Sequence, residues 1–187
     1  MSCMDTSTVR TGSGPFTRHP REIAAAVTLP AAARALVAPG APTVLPTAAQ
    51  AVITACAALA PRIALLAFIG QRDRTDPDGI RAFDPFRDVV PPVMRGVGTE
   101  PDRDRVRTAG DRCVEAWRWW VRTPENAVSR FGVAGALATA AWCSWALGSE
   151  LRAVTRARYA LEVRADDPLA ALVLRTCRAG AHPRWTG

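Results

Sequence analysis

Lysine is missing from this chain: all 24 basic residues are arginine, set against 17 acids and two histidines, for a net charge of +7. With the heavy use of alanine, glycine and proline, that points to a GC-rich coding sequence, so part of the arginine content reflects codon bias. The five cysteines, at 3, 56, 113, 143 and 177, form no C-x-x-C pair and no Cys/His cluster. That spacing excludes the usual structural zinc sites and gives no disulfide framework, and it fits free thiols in a reducing compartment. The N-terminal thirty residues lack a charged start followed by an apolar run of signal-peptide length, because residues 6–20 are polar. The expected location is therefore cytoplasmic.

Catalytic signatures are absent as well. There is no Walker sequence, and Gly12-Ser13-Gly14 and Gly96-Val97-Gly98 lack the third glycine of a dinucleotide loop. Asp73, Asp76, Asp78 and Gly79 superficially match a calcium loop, but its first and twelfth positions would fall on Arg74 and Pro85, which removes two required ligands. The segment reads as a turn. His19 and His182 each precede a proline outside the expected helices, and no Gly-x-Ser-x-Gly or Cys/His arrangement accompanies them. No catalytic residue, cofactor-binding residue or metal ligand is assigned, and no cofactor is implied.

What the sequence does carry is helix. Residues 1–18 read as a disordered tail, residues 19–70 as a loosely packed helical region, residues 71–104 as a Pro/Asp/Arg-rich loop and residues 105–187 as a C-terminal helical domain. Pro30 predicts two short helices rather than one between Pro20 and Ala38, Thr47 is a candidate N-cap for the next helix, and residues 61–70 fit a buried helix or a buried strand equally. The C-terminal domain is expected to hold four helices with breaks near Thr123, Gly148 and Asp167, where caps, glycine and proline coincide. In the first of the four, Val106, Gly110, Cys113, Val114, Trp117, Trp120 and Val121 form the apolar stripe, leaving Trp119 and Arg112 off it. Residues 131–148 carry no charge, which is span length, yet they are mostly small residues and suit a helix buried on all sides. No membrane span is expected.

Gly148, Ala153, Ala160-Leu161 and Asp167-Pro168 resemble one tetratricopeptide repeat, with a turn glycine, small residues in the second helix and a closing Asp-Pro. Ala140-Ala141-Trp142-Cys143-Ser144-Trp145, the glycine turn, the arginine-flanked helix ending in Ala-Leu, the Asp-Pro and the closing Gly180, Pro183 and Trp185 resemble the C-terminal part of the actinobacterial family called domain of unknown function 4192. The resemblance implies an all-α fold, a small helical bundle with a tetratricopeptide-like hairpin at its C-terminal end, in a cytoplasmic protein. It transfers no catalytic residue.

The functional expectation is a non-enzymatic protein–protein interaction or scaffold module whose partner is an unidentified protein. Trp119, off the stripe and expected to be exposed, and Arg152, Arg156 and Arg158 are the candidate contact residues. The alternatives are an arginine-mediated nucleic-acid binder and an enzyme fragment whose catalytic half is absent. Charge argues against the first, because the most basic segment, 150–187, still has four acids against seven arginines, whereas phosphate tracking requires clustered cations.

Overall fold

The computed structural model describes residues 20–40, 43–72, 76–123 and 129–186. Its described residues hold seven α-helices and no strand: α1 (Pro20–Val37), α2 (Pro46–Ala55), α3 (Leu59–Gly70), α4 (Arg103–Arg122), α5 (Arg130–Ala146), α6 (Glu150–Val163) and α7 (Pro168–Arg178). The chain is all-α. The expected tail lies outside the described residues.

Helix α5, uncharged after Arg130, is the axis of the bundle. It is buried from Gly132 to Ala146, with α2, α4, α6 and α7 packed around it. A helix enclosed on every side has no polar face to present, which accounts for the uncharged run. Among the described residues no single helix is long and apolar enough to cross a membrane; α2 and α3 reach that length and apolarity only as a pair bent by 113°.

The N-terminal region departs from expectation. Residues 19–70 are not loosely packed: Leu29 and Leu36 of α1, Val52 and Ile53 of α2, and Leu65 and Ile69 of α3 belong to the same buried cluster as Val106, Trp142, Ala157 and Cys177. One core therefore joins the two regions that composition separated. Two polar contacts tie them further. The guanidinium of Arg62 in α3 donates to Asp167 ahead of α7 at 2.7 Å, and Arg21 of α1 and Arg164 after α6 sit 4.1 and 4.3 Å from the ring centroid of Phe131.

Several local expectations are corrected. Pro30 does not split α1, because Ala25, Leu29, Ala32, Ala33 and Leu36 form one buried stripe running past it, and that packing outweighs the hydrogen bond the proline removes. Thr47 caps nothing. The N-cap position is Leu45, two residues earlier, with Pro46 in the first turn of α2, where its missing N–H would have no partner anyway. Residues 61–70 are helical, with Pro61 inside the first turn of α3. Thr123 is not the cap of the following helix but the C-cap of α4, its hydroxyl donating back to the Trp119 carbonyl at 3.0 Å. Residues 124–128 lie outside the described residues, and α5 starts behind the Ser129 cap. Ser149 occupies the N-cap position of α6 without a side-chain capping bond.

Other signals hold. Asp167-Pro168 opens α7, with the aspartate accepting from the Leu169 and Ala170 amides, and Gly148 takes a positive φ of 75° at the turn after α5. Ala153 and Ala160 are fully buried, and Trp142 and Trp145 are buried. In the segment expected to be a loop, two short 3-10 turns, Pro77–Gly79 and Pro92–Arg95, precede the start of α4 at Arg103. Asp76 caps the first of them and Asp78 pairs with Arg34, so these aspartates serve a turn.

The α2–α5 crossing rests on two glycines. A Cβ on Gly132 would fall far inside van der Waals contact of the Ile53 carbonyl oxygen, and one on Gly135 would meet the Cys56 carbonyl oxygen in the same way. Both obstacles are backbone, which cannot rotate aside. Gly135→Ala is therefore expected to destabilise the fold by about 1–3 kcal/mol despite alanine's better helix propensity. Urea denaturation checks this, and an unchanged midpoint would mean that α2 can move off α5 freely.

Candidate functional site

Helices α4 and α6 both pack on α5 but hardly meet each other, so an apolar trough is left between them. Its floor is Leu137 of α5. One wall is Val114, Trp117 and Arg118 of α4; the other is Leu151, Arg152, Thr155, Arg156 and Tyr159 of α6. The volume, about 590 Å³, lies in the range of ligand-binding clefts. Leu151 is 82% exposed at the rim, and Tyr159 is also exposed.

The α6 wall follows from helical spacing. Ala153, Ala157 and Ala160 face α5 and bring the two helices close, while Leu151, Thr155 and Tyr159, four residues apart in turn, line the trough. Two bridges cross from α4 to α6. The Trp117 and Tyr159 rings stack with centroids 5.5 Å apart, and Arg156 donates to Asp111 at 2.8 Å and to the Ser144 hydroxyl at 3.0 Å. These contacts fix the width of the trough before anything enters it.

The rim is cationic. Arg118 pairs with Glu115 and Arg156 with Asp111, whereas Arg152 has no ion pair among the described residues. No carboxylate, imidazole or thiol lines the trough, and the Thr155 hydroxyl donates to its own helix at the Leu151 carbonyl. Among the described lining residues the polar groups are the Thr155 hydroxyl, the Tyr159 phenol and the guanidinium groups of Arg118, Arg152 and Arg156.

Of the four candidate contact residues, Arg152 and Arg156 line the trough. Arg158 is exposed on α6 but outside the lining. Trp119 is corrected: it is partly buried, packed against the core, and it does not line the trough. The reason lies one turn pair earlier on the same face, where Arg112, also assigned outside the stripe, is buried and donates to the Ala35 carbonyl of α1 at 2.8 Å. Helix α4 is covered by α1 and α2 on one side and by α5 on another, so a single-stripe reading undercounts its buried arc. Val121, placed on the stripe, is exposed. Trp117 and Tyr159 are the residues that sequence reasoning missed. The signal for Tyr159 was the i, i+4, i+8 pattern of Leu151, Thr155 and Tyr159 opposite the alanine stripe; no local pattern on α6 could have signalled Trp117.

The four thiols among the described residues are withdrawn from chemistry. Burial pushes Cys56 up to about 11 and Cys143 up to about 12, raises Cys113 well above its ordinary value, and raises Cys177. Neutral buried thiols are poor nucleophiles. Among the described residues no group of three or more His, Cys, Asp and Glu side chains is placed to hold a metal ion. His182 is exposed in the C-terminal segment. No protein-family model, curated protein or solved structure that was compared matches this chain.

Proposed function

We propose that this chain is a non-enzymatic protein-interaction module that receives an apolar segment bearing acidic residues in the trough between α4 and α6, with α6 and α7 acting as a tetratricopeptide-like hairpin. The observation that carries the reading is the pre-formed apolar trough with Leu151 exposed on its rim and Arg152 uncompensated beside it. An exposed leucine over an apolar cleft is an unfilled contact, and an unpaired arginine at the rim favours a partner with a carboxylate there. Arginines dispersed along the chain argue against phosphate tracking, which draws its affinity from clustered cations.

Peptide display tests the proposal. A library of random peptides selected on the wild-type chain, with a Leu151→Asp chain as counter-selection, is expected to yield apolar residues at helical spacing flanked by Asp or Glu. The selected peptides should lose about tenfold in affinity or more on Leu151→Asp or Tyr159→Ala, the equivalent of about 1.4 kcal/mol. Peptides that bind both chains equally would remove the trough from the interaction. Labelled DNA and RNA, titrated at about 150 mM salt, complete the test: tight binding that weakens steeply with added salt would replace the protein-binding reading with nucleic-acid binding.

A further inference from the structure

Residues 89–99 and 168–187 contain no acid, and between them they carry Arg95, Arg175, Arg178 and Arg184. The fold brings the two stretches together. The Arg184 amide donates to the Gly96 carbonyl at 2.8 Å, and a Cβ on Gly96 would come within 2.8 Å of Pro183 Cα. The indole N–H groups of Trp145 and Trp185 donate to the Ala181 and Ala146 carbonyls at 2.8 and 3.0 Å, which ties the same segment to the C-terminal end of α5. The Ala181 amide donates to the Thr176 carbonyl at 3.1 Å, in the last turn of α7 where Arg175 and Arg178 lie. All four arginines are exposed at this end of the bundle, and none has an ion pair among the described residues. The acids that flank residues 89–99, Asp88 and Glu100, are already held by Arg81 and Arg103. Glu150 at the start of α6 is the acid on the adjoining helix, and it offsets one charge of the four.

The dipole of α7 favours cations at Arg175 and Arg178, but Arg95 and Arg184 lie on short turns that have no such field to answer. Uncompensated like charges gathered in one place repel one another and attract an anion. The patch also adjoins the trough. A Cβ on Gly148 would touch the Thr186 side chain at 3.6 Å, and Leu151 and the unpaired Arg152, which line the trough, follow that turn directly. We propose that a run of acidic residues in the protein partner docks on Arg95, Arg178 and Arg184, next to the apolar segment held in the trough. The proposal extends the reading of the trough and rests on it for the apolar half of the partner. Guanidinium groups take carboxylates in charge-assisted, often bidentate hydrogen bonds. A nucleic acid fits the patch less well, because four arginines fall short of the roughly six to ten phosphate contacts of a backbone-tracking surface. Base stacking has no platform there either, since Trp145 is buried and Trp185 packs against the core.

Fluorescence anisotropy with fluorescein-labelled octaglutamate tests it, at low salt where exposed charges are least screened. Wild-type chain is expected to bind the probe, and an Arg178→Gln, Arg184→Gln chain should bind it about tenfold more weakly. The control is Arg87→Gln, Arg122→Gln, which removes the same charge from two exposed arginines that each face an acid within 4.0 Å. That chain should bind like the wild type. Leu151→Asp should do so too, because octaglutamate has no apolar half to place in the trough. All substituted positions are exposed, so thermal midpoints should stay near the wild-type value. A wild-type chain that fails to bind octaglutamate would overturn the proposal, as would an equal loss in the control pair, which would make the attraction one of net charge alone. Tighter binding of a single-stranded DNA oligonucleotide, or of vesicles of equimolar phosphatidylcholine and phosphatidylserine, through the same two arginines would hand the patch to a nucleic acid or a membrane surface and overturn it as well. Failure here is separable from failure of the trough: display peptides that depend on Leu151 would leave the trough standing without an acidic extension.

Discussion

Asp167→Ala is expected to destabilise the fold by about 3–5 kcal/mol, with about 1 kcal/mol more from the lost N-cap of α7. Arg62 is 2% exposed and Asp167 fully buried, and the Arg62 guanidinium donates to Asp167 Oδ2 at 2.7 Å. The other carboxylate oxygen accepts from the Leu169 and Ala170 amides at 3.1 and 3.0 Å. Without the carboxylate, a buried guanidinium whose Nε already lacks a partner would lose its counter-charge, and two amides at the start of α7 would lose their acceptor. The total compares with the whole stability of an ordinary domain, about 5–15 kcal/mol.

The two halves of the pair should not be equivalent. Arg62→Met leaves Asp167 with its two amides and with Arg164 at 3.9 Å, so that variant should lose clearly less than Asp167→Ala. In the double variant no uncompensated charge is left, and stability should lie above that of Asp167→Ala alone. Urea denaturation of the three variants measures all of this. Equal losses in the two single variants, or a double variant no better than Asp167→Ala, would mean that the cost is packing and not stranded charge.

The second large effect is alkaline. Cys56, Cys113 and Cys143 are buried and neutral in the fold, pushed upward by loss of solvent, whereas in the unfolded chain they return to the ordinary value of 9.0. Above that value the unfolded chain loses protons that the folded chain keeps, so unfolding free energy falls as pH rises. At pH 10 each thiol contributes about 1.4 kcal/mol to this loss, and the three together about 4 kcal/mol relative to neutral pH. The absence of lysine makes the test cleaner, since no ammonium side chain titrates in this range; the remaining thiols are Cys3 and Cys177. Urea midpoints at pH 8 and pH 10 should differ accordingly. The difference should largely vanish in a Cys56→Ala, Cys113→Ala, Cys143→Ala chain; if it persists there, the thiols are not its source.

The candidate site was half legible before the fold was known. Arg152 and Arg158 could be placed on the outer part of α6 by helical spacing, whereas Arg156, three residues from Ala153 and four from Ala160, turns inward to Asp111 and Ser144. Trp117 and Tyr159 could not be paired, because a stacking contact between residues 42 positions apart depends on how α4 and α6 lie across α5. Trp119 was misplaced for the same kind of reason. Periodicity reports the face of a helix that meets one neighbour, and α4 has several.

By itself the sequence determined whatever depends on residues close together along the chain. The helical class follows from apolar periodicity, the start of α7 from Asp167-Pro168, the turn after α5 from Gly148, and the burial of α5 from the uncharged run 131–148. Tertiary structure decided whatever depends on neighbours distant in sequence. It carried α1 unbroken past Pro30, settled residues 61–70 as helix, drew α1–α3 into the same core as α4–α7, and set Arg62 against Asp167 across 105 positions. Local signals record the free energy of a few adjacent residues. A buried ion pair, a close α2–α5 crossing and a trough between two helices that share a third are products of packing, and no single segment encodes them.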